Sequence, residues 1–356
     1  CDKQAHRSAL LPGIHPDLEG MAVRGTEGAC ASGGLAFSSE VDRILAGRSD
    51  VSLVVGVEEM NTLLPPLIAD SLSGAAWVDT QRGEGGAYFF PHKLSERVEH
   101  YANHFGNAGE MRDAMTQFVV QMYDNASLNP KAQMHAKANG RFNEAYIRKN
   151  APKCGVAEHL SNLDCSLITD AGASLMLASY KGLQKLRKAG AEIRNLDVVE
   201  VVGVGEAGRD IKIATPNDPH KLTTTEMAVK KAYAEAGITA DQVGYVEVHD
   251  CFSHVGVQML EASGIVPYGE GPRLVLSGAT ARDGNIPVNG TGGLIALGHP
   301  VGETGVRQVA DIYKQLTGKA GANQVEMQED KPYALGINMG GDDGTVVATV
   351  YKKAEL

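Results

Sequence analysis

The sequence lacks the features of a secreted or membrane-spanning protein. It holds five cysteines, an odd number without a CxxC pair, and this is not the pattern of a disulfide framework. No apolar run reaches the roughly 18 residues that a transmembrane helix needs, and no signal peptide or basic leader is recognisable. We therefore expect an intracellular protein without a membrane span, whose compartment (mitochondrial, peroxisomal or cytoplasmic) stays open.

Positive charge is also scarce, whereas glycine is abundant. The formal net charge is −10, which disfavours nucleic acid as a partner because phosphates attract a basic face. A local basic rim could still hold an anionic cofactor. Glycine accounts for 42 of 356 residues, against an average usage of about 7%. Because no Gly-X-Y period exists, these glycines predict tight turns and close backbone contacts rather than collagen.

Strands and helices alternate in both halves of the chain, which is the pattern of an α/β protein. Residues 21–29 are expected to lead as a strand into the turn Gly28–Gly34, and a helix follows to about Leu45. In the second half, a Thr223-x-x-Glu226 capping box opens a helix. The other predicted elements are strands at Val51–Val57, Val198–Val204 and Val243–Val248, helices at Lys181–Ala189, Phe252–Ala262 and Gly302–Leu316, and a closing hairpin of Tyr333–Asn338 and Thr345–Tyr351.

A stretch between the two halves interrupts this alternation. Helical periodicity without strands is predicted for Ser95–Phe105, Gly109–Tyr123 and Lys131–Lys137. We therefore expect four segments. They are an N-terminal half at 1–70 whose start is apparently missing, an inserted, mostly helical domain at 71–157, a return to the first half at 158–185, and a C-terminal half at 186–356.

Cys30 is the first candidate for chemistry. It lies where the first helix begins, with Gly28 before it and Gly33 and Gly34 after it. A helix N-terminus favours a thiolate, and the glycines would let a substrate come close. The same residue could instead be a buried structural cysteine, and both interpretations stay open on this signal alone.

Two further segments carry histidines at predicted turns. In Gly298-His299-Pro300 the histidine is held just before a helix, where it could act as a base for a thiol or simply be bonded to backbone groups. His249-Asp250-Cys251-Phe252 follows the carboxyl end of a strand, where open α/β sheets place their sites. Residues 249 and 251 should point to the same side.

Two further kinds of site can be compared with the sequence, a zinc site and an oxyanion site. His249, Cys251 and His254 are ligand types, but their spacing matches no established zinc pattern, so no metal is expected. The turn Asn338-Met339-Gly340-Gly341 could present backbone N–H groups to an oxyanion. Asp342 and Asp343 could serve only as hairpin-turn residues.

These segments occur in one order along the chain. They read EGACASGGLA, DVSLVVGVEEM, LITDAGASLMLAS, HDCF and GTGGLIALGHPVGETG. In combination they resemble the thiolase family, and specifically its sterol-carrier-protein type, which has HDCF where other thiolases have NEAF. The resemblance runs from about residue 20 to the end and is weakest over 71–157. It implies a thiolase fold, an α/β arrangement of two similar βαβαβ halves in five α-β-α-β-α layers with an inserted helical loop domain.

The resemblance also implies roles for particular residues. Cys30 matches the acylated nucleophile and His299 the base that activates it. His249 matches the residue that helps hold the thioester oxygen of the enolate, and Cys251 the second acid/base. Other thiolases use a cysteine of a C-terminal CxG motif for that second role, and here this position is Asn338. The backbone N–H groups of Cys30 and Gly340 match the second oxyanion hole.

Some positions depart from the family pattern. Asn289-Gly290 stands where the family has Asn-Pro, and Glu303 replaces an alanine, which adds a charge near the site. The strand–helix–strand stretch with which the family begins is mostly missing before Cys30. We expect it to lie outside the printed sequence, and we expect no sterol-carrier module after Leu356.

The predicted function is a CoA-dependent thiolase that cleaves or forms 3-oxoacyl-CoA through a Cys30 acyl-enzyme. Coenzyme A is expected as a co-substrate, with no tightly bound cofactor. The expected partners are acyl-CoA and a second copy of the chain, paired at the strand Val51–Val57. The alternatives are a non-catalytic acyl-CoA-binding protein and another condensing enzyme of the same fold.

Overall fold

The chain forms two β-sheets in the part that the structure, a computed structural model, describes, which is residues 6–79, 81 and 88–354. One sheet pairs β1 (Val51–Glu58) with β2 (Ala171–Ala178) in antiparallel fashion. The other has the order β3-β6-β5-β4, and only its β4–β5 pair is parallel. The strands of this second sheet are β3 (Val199–Gly208), β4 (Val243–Glu247), β5 (Tyr333–Gly340) and β6 (Thr345–Lys353).

Two helices fill the space between the sheets. These are α1 (Ser32–Leu45) and α11 (Thr304–Leu316), each of which packs on strands of both sheets. Their apolar faces join a core in which the ring of Phe37 lies 6.0 Å from that of Tyr351. This middle layer matters for function, because the N-terminal ends of both helices lie at the candidate site.

The outer face of the second sheet is covered by α8 (Thr223–Ala236). Here two glycines of β3 permit a very close approach of helix to strand. A Cβ atom on Gly203 would lie 2.2 Å from the carbonyl oxygen of Ala232, and one on Gly205 would lie 2.0 Å from that of Ala228. No larger residue fits at either position, which explains part of the glycine content.

The helices of the 71–157 region contribute to a second, larger core, which they share with the C-terminal half. α3 (Phe89–Phe105) and α4 (Ala108–Ser127) bury Tyr101, Met115 and Phe118 completely. α4 also packs on α9 (Ser253–Ala262) and α10 (Gly271–Leu276) of the C-terminal half. The other α-helices among the described residues are α2 (Pro65–Leu72), α5 (His135–Ala138), α6 (Glu144–Asn150) and α7 (Tyr180–Lys188).

Three local predictions were wrong. Residues 21–28 form no strand, and the helix predicted over Lys131–Lys137 is reduced to the single turn of α5. The Thr223-x-x-Glu226 capping box does not form. Instead the carboxylate of Asp343 accepts hydrogen bonds from the backbone N–H groups of Thr224 and Thr225. A residue distant in sequence therefore caps α8, and this removes the need for a local cap.

The other predicted strands and helices are present within a few residues of their expected bounds. The closing hairpin pairs Tyr333 with Lys352 and Gly340 with Thr345. None of the helices described has the length and hydropathy that would let it span a bilayer.

Candidate active site

The backbone before Cys30 is held in a sharp bend. Ala29 has a φ of 52°, a left-handed value that is uncommon for a residue with a side chain. Its N–H donates to the Glu27 carboxylate at 2.8 Å, and a short 3-10 turn, Ala29–Ala31, then leads into α1. The bend presents Cys30 at the start of the helix, as the sequence predicted.

The starts of α1 and α11 touch each other because both carry glycines. A Cβ atom on Gly33 would lie 2.8 Å from the nitrogen of Gly305, and one on Gly305 would lie 2.2 Å from the nitrogen of Gly34. This contact joins the Cys30 turn to the His299 loop, which immediately precedes α11. Two segments that are far apart in sequence therefore meet at one point.

Cys30, His249 and His299 form a cluster at this point. One side-chain donor atom of each residue lies within 4.8 Å of those of the other two. The two imidazole rings are perpendicular, with centroids 4.9 Å apart. Both histidines are buried, and the Nε2 atom of each has no hydrogen-bond partner. The structure thus gathers three of the predicted site residues around one small volume.

The proton of neutral His299 lies on Nδ1. The Nδ1 atom is 2.7 Å from the Thr304 hydroxyl oxygen, and this hydroxyl donates its own proton to the Pro300 carbonyl oxygen at 2.9 Å. The threonine oxygen can therefore only accept from the ring. As a result Nε2, which has no hydrogen-bond partner, carries a free lone pair, as a general base requires.

His249 has the opposite tautomer, and Asn338 sets it. The Asn338 Oδ1 atom accepts from the N–H of Gly34 at 2.9 Å, which orients the amide group. Its Nδ2 group then donates to the Cys30 carbonyl oxygen at 3.0 Å and to His249 Nδ1 at 3.2 Å. Since Nδ1 accepts, the ring proton lies on Nε2. His249 thus offers a hydrogen-bond donor to the cluster, where His299 offers an acceptor.

Burial keeps both rings neutral. It lowers the pKa of His249 well below its usual range, with a further contribution from neighbouring His299. Burial and the charge of Arg307 lower the pKa of His299 to about 3. At neutral pH the pair therefore consists of one uncharged donor and one uncharged acceptor.

The helix N-terminus, which was expected to favour a thiolate, does not by itself lower the pKa of the Cys30 thiol. Burial of the sulfur raises the pKa of the thiol to about 11, and the carboxylates of Glu58 and Glu27 add to this. Hydrogen bonds from the N–H groups of Gly341 and of Cys30 itself oppose the rise. Burial destabilises the thiolate by more than the hydrogen bonds from these N–H groups stabilise it. The resting nucleophile is therefore a thiol that needs a base.

Cys251 lies close enough to Cys30 for the two sulfurs to influence each other. Burial raises the pKa of the Cys251 thiol well above its usual range, and the proximity of Cys30 and Asp250 raises it further. A thiol in such a place stays protonated and can give up a proton only to a strongly basic partner such as a carbanion. Its predicted role as the second acid/base stays a prediction.

Asp250 of the HDCF segment ties two loops together, a function that sequence reasoning missed. Its carboxylate accepts hydrogen bonds from the Asn289 side chain at 2.7 Å and from the backbone N–H groups of Leu294 and Ile295 at 2.8 and 3.4 Å. Burial raises its pKa to about 6. Asn289 in turn accepts from the N–H of Val248 at 2.8 Å. The HDCF loop and the loop that leads to His299 are thereby held in one arrangement.

The zinc site considered for His249, Cys251 and His254 does not assemble. Among the described residues, the Cys/His cluster contains Cys30 and His299 with His249, not the other two. His254 is fully buried on α9, and burial lowers its pKa to about 3.

The acidic pair of the last turn has a structural function. Asp342 forms a buried ion pair with Arg97 of α3, and Asp343 caps α8 as described above. The neighbouring turn places the N–H of Gly341 on the Cys30 sulfur. The prediction that the N–H of Gly340 serves an oxyanion remains open, with Gly341 as a second donor beside it.

Glu303 is not among the carboxylates that raise the pKa of Cys30. It is buried at the start of α11, and its pKa is raised to about 7 by burial, which the charge of Arg307 opposes. Arg307 in turn forms an ion pair with Asp311 at 2.8 Å. Glu303 also lines a cavity of about 360 Å³ beside the His299 loop, together with Lys131 and Thr169.

Comparison with known proteins agrees with this geometry. Residues 205–353 match the family model described as "Thiolase C-terminal domain-like". The chain is 32% identical over 351 residues to "Acetyl-CoA acetyltransferase" of Methanothermobacter thermautotrophicus, an alignment that covers 99% of this chain and 85% of that protein. It is 28% identical to human "Sterol carrier protein 2", with 94% of this chain and 59% of that protein covered.

Solved structures show the same fold. An "Ltp2-ChsH2(DUF35) aldolase" superposes with a TM-score of 0.71 at 16% identity, covering 92% of this chain and 78% of that chain. A "monomeric SCP2-thiolase like protein type 1" from Mycobacterium smegmatis gives a TM-score of 0.62 at 17% identity, covering 92% of this chain and 62% of that chain. At such identities the likeness concerns the fold alone.

The fold and the relatives together define an α/β protein of the thiolase class. This chain belongs to the thiolase family, and within that family it is also similar to sterol carrier protein 2. Its function is therefore of the thiolase type, that of an acyltransferase with coenzyme A as co-substrate.

Proposed function

We propose that this protein is a thiolase that transfers an acyl group between the carbon of a 3-oxoacyl-CoA and the sulfur of coenzyme A, through an acyl-enzyme on Cys30. The observation that carries the proposal is the opposite protonation of the two histidines around one thiol. One ring can accept the proton of the nucleophile, and the other can donate to an oxygen that becomes negative. Acyl transfer needs both functions at once.

The first half-reaction uses all three clustered residues. His299 Nε2 takes the proton of the Cys30 thiol as the sulfur attacks the 3-keto carbon. The bond between C2 and C3 then breaks, and its electron pair passes into the enolate of acetyl-CoA. The Nε2–H of His249 donates to the enolate oxygen, and the Cys251 thiol gives its proton to C2. A preorganised donor of this kind contributes about 2.7–4 kcal/mol.

The second half-reaction returns the enzyme to its starting state. The Cys251 thiolate takes the proton of the CoA thiol, whose sulfur attacks the thioester carbon on Cys30. The oxyanion formed there would accept hydrogen bonds from the N–H groups of Cys30 and Gly340. When the acyl group leaves, Cys30 recovers its proton from His299. The same groups run the condensation in reverse.

A second copy of the chain is the proposed partner. The edge of β1 that faces away from β2 has no neighbouring strand among the described residues. Leu53 and Val57 of β1 and Met176 of β2 are exposed on the same sheet. Apolar side chains beside an open strand edge favour strand pairing between two molecules.

The test is turnover of acetoacetyl-CoA with coenzyme A, followed by loss of the enolate absorbance of the substrate. Cys30→Ala should abolish turnover, whereas Cys154→Ala, which removes a free cysteine bonded to the Asn150 carbonyl outside the cluster, should turn over like the unaltered protein. Covalent labelling of Cys30 by an acyl-CoA should be visible by mass spectrometry. Binding of acyl-CoA without turnover or labelling would instead identify a non-catalytic binding protein.

A further inference from the structure

The cluster of Cys30, His249 and His299 has the composition of a metal site as well as of a catalytic site. One donor atom of each residue lies within 4.8 Å of those of the other two. The Nδ1 atoms of both histidines already have hydrogen-bond partners, whereas their Nε2 atoms are buried without one, so Nε2 is the nitrogen that each ring has left for an ion. Thiolate and imidazole are the ligands that zinc prefers, with bonds of about 2.3 and 2.0–2.1 Å. Inward shifts of under roughly 1 Å would bring all three donors within bonding distance of one ion.

The hydrogen bonds around the cluster determine which nitrogens can bind a cation. His299 offers an unprotonated Nε2, because its proton is on Nδ1, where Thr304 holds it. His249 cannot do the same, because its Nε2 carries the proton. Binding through this atom would move the proton to Nδ1, where it would face the NH₂ group of Asn338.

Asn338 is not free to turn and remove this conflict. Its Oδ1 atom accepts from the Gly34 N–H at 2.9 Å, and its Nδ2 group donates to the Cys30 carbonyl oxygen at 3.0 Å. If the amide group rotated by about 180°, its NH₂ group would face the N–H of Gly34. Its oxygen would then face the carbonyl oxygen of Cys30, and both hydrogen bonds would be lost. Asn338 is also buried, so water could not replace the lost bonds.

We propose that Cys30, His249 and His299 form a latent site for a thiophilic divalent cation such as Zn²⁺, and that Asn338 limits its affinity by holding the proton on His249 Nε2. In the unaltered protein the ion bonds to Cys30 and His299, and the Cys30 thiol releases its proton to solvent without any redox change. Such an ion would block the nucleophile and inhibit the enzyme. The proposal does not depend on thiolase activity, because binding can be measured without substrate.

The test uses Co²⁺, which reports a thiolate ligand by a charge-transfer absorption, in titrations of the full chain. In Asn338→Asp a carboxylate accepts from Nδ1–H of His249 and frees Nε2 as a third ligand. Partners of this kind change metal affinity by about 10–100-fold, so Asn338→Asp should bind Co²⁺ tighter by about that factor. Equal or weaker affinity in the folded variant would overturn the proposal, as would the absence of a thiolate band in both proteins.

A second comparison does not require a change at Asn338. His299→Ala should abolish Co²⁺ binding, whereas His249→Ala should change its dissociation constant by no more than about threefold, which is under 1 kcal/mol. Equal losses in the two variants would show that His249 is already a ligand and would contradict the role given to Asn338. Cys154→Ala should bind like the unaltered protein, and a band that persists in Cys30→Ala would place the ion elsewhere.

Discussion

Thr304 is hydrogen-bonded to Nδ1 of His299, which leaves Nε2 as the basic nitrogen, and this makes Thr304 a positioning residue for the base. Thr304→Val keeps the shape of the side chain but removes the oxygen that accepts from Nδ1. A general base accelerates a reaction by about 10²–10⁴-fold. If His299 loses its correct tautomer, kcat/KM should therefore fall by roughly tenfold or more. The measurement is steady-state cleavage of acetoacetyl-CoA.

The serine variant is the matched control for this prediction. Thr304→Ser keeps the hydroxyl and should retain most of the activity. The valine variant should also show a changed pH profile, because His299 could then take either tautomer. If valine and serine behave alike, the hydroxyl does not set the proton of His299.

The raised pKa of Cys30 predicts how the resting enzyme reacts with alkylating agents. Only a thiolate reacts with iodoacetamide, and its fraction rises about tenfold per pH unit below the pKa. Because that pKa is about 11, the alkylation rate of Cys30 should rise steadily from pH 6 to pH 9. The measurement is mass spectrometry of the labelled peptide. A plateau reached below pH 8 would show that the thiolate already exists at neutral pH.

Much of the catalytic cluster could be predicted from the sequence, because each member sits in a recognisable local motif. Cys30 and His299 are marked by glycine turns before helices, and His249 by the end of a strand. The sequence marks Asn338 only as the residue before the last glycine turn, without its contact to His249, and it does not mark Thr304. Their roles depend on which atoms they meet after folding, and Asn338 lies 304 positions from Gly34. Local patterns cannot report a contact across that separation.

The crossing of α1 and α11 depends on Gly305, and this is a property of two elements rather than of one residue. A methyl group at this position would lie 2.2 Å from the Gly34 nitrogen, so Gly305→Ala should push the helices apart. Overpacking of this kind costs about 1–3 kcal/mol. Activity should fall as well, because the same contact joins Cys30 to His299.

Urea unfolding and turnover together check this prediction. Gly109→Ala in α4 is the control, because nothing lies within 4 Å of its added methyl group. That variant should keep its activity, and its free energy of unfolding should stay the same or rise by up to about 1 kcal/mol. A Gly305→Ala protein with unchanged stability and activity would show that the two helices can adjust at no cost.

The capping of α8 by Asp343 is a second property of elements. Its carboxylate accepts from two N–H groups and from the Thr225 hydroxyl. Asp343→Ala should therefore lower the free energy of unfolding by about 0.5–2 kcal/mol for the lost cap, with more for the buried donors left unsatisfied. Denaturant titration measures this. The exposed Asp283 provides a control, and equal effects at both positions would contradict the assignment.

The secondary structure illustrates where sequence reasoning succeeds and where it fails. Apolar runs and glycine turns located most strands and helices, because these signals are local. The capping box at Thr223 failed because a carboxylate from 118 positions away caps the helix instead. The helix predicted after residue 131 failed because backbone N–H groups of Gln133 and Met134 bond to the carbonyl groups of Leu297 and Ala296 rather than to their own turn.

At the scale of the whole molecule, the open edge of β1 predicts association. Val57 is 66% exposed beside that edge, so Val57→Glu should leave the fold intact. In a dimer paired along this edge it would place a charge in the apolar interface and should shift the protein toward monomer. Light scattering after size-exclusion chromatography measures the mass. A monomer in both proteins, or a dimer in both, would show that this edge is not the interface.

The hydrogen-bond network around Asp250 has a consequence for experiments that exchange the HDCF segment between related proteins. Its carboxylate holds Asn289 and the start of the loop that ends in His299, so the four letters HDCF do not form a portable module. A chimera that receives these four residues without a matching asparagine 39 positions downstream would contain a buried carboxylate that lacks its side-chain hydrogen-bond donor. We expect such chimeras to lose activity because the loop that leads to His299 is no longer held in place. Activity should return when the HDCF segment and the loop that contains the asparagine are exchanged together.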